Sequence, residues 1–251
     1  MPRQPKGNLT AGIDIGINNL MAIYVENGLT KLVNGKPLKS ISYYWRKKIA
    51  EYQSTLSKYG LETSRRLRRM YMKWRRQIRH YINTKVREAM EWLYDIGVST
   101  VKVGYPRYIA LKSGNFDNVH AWTYGLLLRR LSEAAEEYGI RVIYVDKSYT
   151  SSRCPWHSDG CGIRISRGLF KCTTMNKVFN ADLIAAYNIL MMPVTPSPGR
   201  GGGNGRRPGQ GLNPQKEGCS PNLPTPSRGG GRQLFPNIPP YPPALAPLMQ
   251  S

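Results

Sequence analysis

The first apolar positions along the chain fall in short runs of strand length. Leu9–Ile15 reads as a strand broken by a single acid, Asp14, and Leu20–Glu26 follows as a second apolar strand. Asn27-Gly28 has the chemistry of a tight turn, so Leu29–Val33 is predicted to return as a third strand. Pro37 then opens a long polar and basic region of helical character that runs to about Ile96. Thr100–Val103 is a short β-branched strand. Trp122–Tyr138 is a helix with leucines at 126, 127, 128 and 131, and it stops at Gly139. Arg141–Val145 is one more strand, and Ala181–Met191 a final helix.

The predicted order is a three-stranded meander, helices, strand, helix, strand, a cysteine-bearing insert and a last helix. That order is the topology of a ribonuclease H-like α/β fold, a mixed sheet whose metal site lies at the strand ends. Four segments follow. Residues 1–153 form the core, with a basic helical insertion at about 37–96; 154–178 form a small zinc-ribbon-like insert; 179–192 form the last helix; 193–251 form a tail. Proline and glycine dominate the tail, so it cannot bury enough apolar surface to offset its ordering entropy and is expected to be disordered. Its arginines are compatible with weak RNA contact, and equally with an inert tail.

Charge sharpens the class of partner. The 37 Lys+Arg against 15 Asp+Glu leave a net charge of +22 on 251 residues. Such a field points to a polyanion, because each neutralised phosphate releases condensed counterions. The plainer alternative is a ribosomal-type basic protein or a solvated basic surface. Met1–Leu9 carries no apolar run, so no signal peptide is visible, and no stretch is apolar enough for a membrane span. The expected compartment is the cytoplasm, where clustered cysteines are metal ligands more often than disulfides. Cys219 stands apart as a spare thiol.

Candidate chemistry concentrates in three places. Three of the four cysteines and one of the three histidines fall in Cys154-Pro-Trp-His157-Ser-Asp-Gly-Cys161 and Cys172. Cys154, His157, Cys161 and Cys172 suit Zn²⁺, which takes four N/S ligands in a tetrahedron. Met175 stands where a second C-x-x-C pair would close, but a thioether is a poor zinc ligand; Asp159 is a possible substitute. The alternative is three reduced structural cysteines and a surface histidine. Asp14 in its apolar strand and Asp182 beside the apolar face of the last helix are the candidate holders of a divalent metal. Taken singly, Asp14 also reads as a turn residue before Gly16, and Asp182 as a helix-start acid favoured by the macrodipole. The third place is the basic helix. Arg65, Arg66, Arg68, Arg69, Lys73, Arg75, Arg76 and Arg79 surround an apolar stripe of Leu67, Met70, Tyr71 and Trp74. Such a helix repels itself unless phosphates lie beside it, so it is read as tracking a nucleic-acid backbone, or else as a solvated face.

Several short motifs together resemble the TnpB/OrfB family of insertion-sequence proteins, relatives of the compact type V CRISPR effectors. They are Gly12-Ile13-Asp14-Ile15-Gly16 with Asn19-Leu20, Tyr149-Thr150-Ser151-Ser152-Arg153-Cys154-Pro155, Phe170-Lys171-Cys172, and Asn180-Ala181-Asp182 with Ala185-Ala186 and Asn188-Ile189. The resemblance covers residues 9–192. It implies a RuvC-type nuclease domain with a zinc-bearing, nucleic-acid-binding insert, a guide RNA made from the transposon end, and Mg²⁺-dependent DNA cleavage. The implied mechanism has carboxylates holding two Mg²⁺ about 4 Å apart, one activating water and the other stabilising the leaving oxygen.

Family members use three acids. Asp14 matches the first and Asp182 the third, but Gly104 stands at the usual place of the middle glutamate. Lys147 stands where some relatives carry a displaced glutamate. Asp146 is adjacent, yet neighbouring residues on a strand face opposite sides. Glu133, Glu136 and Glu137 are simpler to read as solvated surface. Low or absent nuclease activity is therefore expected. The family also carries an N-terminal module for guide and target recognition; this chain reaches its first strand by Leu9, so that module is expected to be missing. The leading expectation is a transposon-encoded, RuvC-like DNA endonuclease by descent. The alternatives are a nuclease-dead nucleic-acid-binding repressor or accessory, and a truncated remnant.

Overall fold

The structure, a computed structural model, describes residues 2–105, 121–146, 153–157, 160–166 and 168–193. Lys147, Asp159 and Cys219, and all but the first residue of the expected disordered tail, lie outside the described residues.

The opening meander forms as its patterning requires. β1 (Leu9–Asp14), β2 (Asn19–Val25) and β3 (Thr30–Asn34) pair antiparallel in succession. The β2–β3 turn is closed by Asn27, whose Oδ1 accepts from Leu29 N at 3.1 Å, and by Gly28 at φ 88°. β4 (Val98–Tyr105) and β5 (Arg141–Asp146) add in parallel, giving a five-stranded sheet in the order β3-β2-β1-β4-β5. The fourth strand extends beyond the predicted Thr100–Val103 at both ends, because pairing with β1 and β5 supplies what its short β-branched run does not.

The basic region is two helices, in keeping with the helices expected there. α1 (Lys36–Lys58) ends where Gly60 takes φ 66° and Leu61 N bonds back to Leu56 O at 3.0 Å. α2 (Arg65–Asp95) starts at the N-cap Ser64, whose hydroxyl accepts from Leu67 N. The two helices pack side by side in opposite directions, with Trp45 Nε1 donating to Gln77 and Ser64 Oγ to the Tyr52 hydroxyl.

Alternation along the strands separates two cores. Ala11, Ile13, Met21, Ile23, Val25, Val101 and Val103 pack against α2 and against α3 (Ala121–Glu137) through Ile78, Ile82, Val86, Leu127 and Leu131. On the other face Ala22 and Tyr24 pack against α4 (Ala181–Met191), whose buried residues lie on almost every side. The insert is a three-stranded antiparallel sheet of β6 (Gly162–Ser166), β7 (Leu169–Cys172) and β8 (Lys177–Asn180). Phe170 and Phe179 fasten it to the core around α4. No helix among the described residues is long and apolar enough to cross a membrane.

Candidate metal centre and nucleic-acid surface

One glycine lets α4 reach the sheet. A Cβ on Gly12 would stand 2.1 Å from Ala186 O and 2.7 Å from Leu190 N. The last turn of α4 is held down by Lys102 of β4, whose Nζ donates to Leu190 O at 2.7 Å and to Met192 O at 2.6 Å. A cation on these orphan carbonyls also suits the helix dipole. Desolvation by burial holds the Lys102 amine below its usual range.

Over Gly12, α4 runs back to its first turn and brings Asp182 to the end of the sheet where β1 finishes at Asp14. Asn180 caps the helix, its Oδ1 accepting from Asp182 N and Leu183 N at 3.0 and 3.1 Å. Asn19, at the start of β2, donates from Nδ2 to Asp182 Oδ2 at 2.8 Å. Arg164 of β6 reaches Asp182 Oδ1, with its guanidinium 3.6 Å away. Asp14 is buried, 8% exposed, at the end of β1.

The register shows what stands beside Asp14. Ile13 pairs with Val103 across β1 and β4, so the next row places Gly104 next to Asp14, and Gly104 pairs in turn with Val145. Asp146 pairs with Tyr105, one position out of that row. Glu133, Glu136 and Glu137 are exposed on α3, which packs against α2; Glu133 is paired with Arg130.

In the insert, Cys154, His157, Cys161 and Cys172 converge, with ligand atoms all within 4.8 Å of one another. His157 Nδ1 lies 3.5, 3.4 and 3.5 Å from the three thiol sulfurs, and Cys161 and Cys172 are 3.6 Å apart. A tetrahedron with Zn–S bonds of about 2.3 Å has edges of about 3.8 Å, so this cluster could bind a metal such as zinc. Burial pushes the Cys154 thiol up to about 12. Burial acts the same way on Cys161, but hydrogen bonds from Cys154, Thr174 and Cys172 outweigh it and bring that thiol below its ordinary value. The backbone N–H of Met175 points to Cys172 Sγ at 3.4 Å.

The eight predicted phosphate-contacting cations of α2 are all exposed. The 65–80 stretch contains no acid to neutralise them. Arg66 stacks over the Tyr52 ring at 5.0 Å.

Asn19, Lys102 and Arg164 are partners that reading the sequence missed. Asn19 was visible as part of a motif, without a role. Arg164 could have been suspected from strand alternation, because it pairs with the fully buried Phe170.

The fold and the Cys₃His cluster define a class: a ribonuclease H-like core carrying a small ribbon with four metal-ligating side chains. A profile described as "Probable transposase" (OrfB_IS605) matches residues 1–110, and one described as "Cas12f1-like, TNB domain" matches residues 124–189. A TnpB-like protein of Acidianus two-tailed virus is 33% identical over 199 residues, 76% of this chain and 43% of that protein. A TnpB-like protein of Methanocaldococcus jannaschii is 25% identical over 189 residues, 70% of this chain and 66% of that one. The fold matches that in a cryo-EM structure of a Cas12f1–sgRNA–target DNA complex, with TM-score 0.57 and 20% identity over 75% of this chain and 51% of that one. Together these matches support a TnpB family member related to type V CRISPR effectors. It spans less than half the length of the viral relative.

Proposed function

We propose that this chain is a transposon-encoded, RuvC-like protein that binds DNA and a guide RNA, and whose phosphodiester hydrolysis is weakened or lost. The observation that carries the reading is the row Asp14–Gly104–Val145, in which the place of a middle acid beside Asp14 is held by glycine. Asp14 and Asp182 are the proposed holders of Mg²⁺, which would supply Lewis-acid activation of water when bound. With Gly104 in the row, these two carboxylates alone would have to hold metal and orient the attacking water. Asn19 fixes Asp182 by one oxygen, and Arg164 faces the other, where it would compete with a metal or accompany a phosphate.

Zn²⁺ on Cys154, His157, Cys161 and Cys172 is proposed as the structural metal of the ribbon. The exposed cations from Arg65 to Arg79 are proposed to follow a phosphate backbone. The curated Cas12f1 endodeoxyribonuclease of Sulfoacidibacillus thermotolerans, 44% identical over 69 residues, supports a nucleic-acid role.

Two measurements on the purified full chain test this. Incubated with single- and double-stranded DNA in Mg²⁺ or Mn²⁺, the protein is expected to cleave slowly or not at all. Rapid cleavage that Asp14→Ala abolishes would refute the loss of activity. Co-purifying RNA that maps to the 3′ flank of its own gene supports guided binding, whereas no bound RNA at moderate salt favours an inert remnant.

A further inference from the structure

A cavity of about 680 Å³ opens between the first half of α2 and the start of α3. Its apolar walls are Tyr71, Trp74 and Leu126, and its charged walls are Arg75, Arg79 and Arg129. The two aromatic rings lie 6.4 Å apart and tilted by 31°. Gly125 leaves the α3 side of the cavity open, because a Cβ there would meet nothing within 4 Å. Among the described residues no carboxylate pairs with any of the three arginines.

The same two helices make a contrasting groove further along. There Arg87 and Arg130 face Glu88, Glu91, Glu133 and Glu137, and both cations have carboxylate partners. One α2–α3 interface is thus neutralised at one end and holds aromatic rings with unneutralised guanidiniums at the other. Arg75 and Arg79 are also one turn apart on α2, a like-charged spacing that costs stability unless an anion lies between them. A planar apolar wall rimmed by three cations fits a base with its phosphates; double-helical nucleic acid keeps its bases stacked and cannot enter.

We infer that this cavity is a binding site for an unpaired nucleotide, with the base against Trp74 and Tyr71 and the phosphates at Arg75, Arg79 and Arg129. The inference rests on the nucleic-acid-binding reading and extends it from backbone tracking to capture of a flipped or single-stranded base. It predicts that the chain tells single strands from duplexes at this place on its surface.

The test is fluorescence anisotropy of the full chain with labelled single-stranded RNA, single-stranded DNA and duplex DNA of equal length. Gly125→Leu fills the cavity and replaces a helix glycine, so the fold is kept, as a thermal melt checks. The expected result is a loss of about tenfold in affinity for single strands, with duplex affinity unchanged. Arg129→Gln should weaken single-strand binding and flatten its salt dependence by about one counterion. A loss on RNA, on DNA or on both supports the site, and the larger loss names the strand. Equal binding of single strands by wild type and Gly125→Leu overturns the inference while leaving nucleic-acid binding intact. Failure of wild type to bind any strand overturns the broader reading as well. As a second measurement, a 4-thiouridine strand should photocrosslink to the peptide containing Tyr71 and Trp74, and crosslinks confined to other peptides would count against it.

Discussion

Replacing Gly12 by alanine should do more damage than its single methyl suggests. The added Cβ would lie 2.1 Å from the carbonyl oxygen of Ala186, where ordinary contact begins at 3.4 Å, so 3.4 − 2.1 leaves 1.3 Å to be found. The obstacle is helix backbone, with Leu190 N at 2.7 Å behind it, so no side chain can swing aside. α4 must lift from β1, and it is held at its other end by Lys102 and by the ribbon core. Overpacking of this kind costs about 3 kcal/mol. In a domain of this size that corresponds to a fall in Tm of about 10 °C. Because Asp182 lies one turn before Ala186, lifting the helix also draws that carboxylate away from the Asp14 end of β1. Thermal melts by circular dichroism and Mn²⁺ titration calorimetry measure the two effects. Gly125→Ala is the control: it meets nothing and should melt at or above the wild-type temperature, gaining up to about 1 kcal/mol. A Gly12→Ala protein that melts within about 2 °C of wild type would refute the close-approach argument.

Gly104→Glu puts an acid in the row beside Asp14 and should give Mn²⁺-dependent DNA nicking that Asp14→Ala removes; no nicking from a folded variant would show that the row does not form the site. Chelation should lower the Tm of wild type by several degrees yet leave Cys172→Ser unchanged, since Cys172 is fully buried in the Cys₃His cluster. A chelator that leaves the Tm of wild type, purified from zinc-supplemented medium, unchanged would exclude a structural metal. The Tyr24 hydroxyl is buried with no hydrogen-bond partner among the described residues, and burial pushes its pKa from 10.0 up to about 12. Between those values the unfolded chain binds fewer protons, so stability is intact below pH 10 and about 2 kcal/mol is lost as pH rises to 12. Tyr24→Phe should remove that part of the alkaline loss without destabilising the protein at pH 7; parallel alkaline melts of the two proteins would contradict the burial argument.

Local pattern was enough for much of the fold. Alternating apolar runs, Asn27-Gly28 and Gly139 mark the meander and the end of α3, because turn and cap chemistry act within a few residues. The motifs also led to the family and to a Cys/His group of ligand spacing. The helices of the basic region were expected, but not the place of their break at residues 59–64, since Gly60 and Ser64 are weak signals until the packing of α1 on α2 requires the chain to reverse.

The sequence by itself determined the strand periods, the excess of cations, the cysteine window and the two separated aspartates. Only the tertiary structure decided which residues share a row or a contact. Lys102 finds the end of α4 across 88 residues and Asn19 finds Asp182 across 163. Gly104 stands beside Asp14, and aromatic rings and arginines from α2 and α3 line one cavity. The physical reason is range: propensity and turn chemistry are written in adjacent residues, whereas strand register and helix docking join residues that the chain itself keeps far apart.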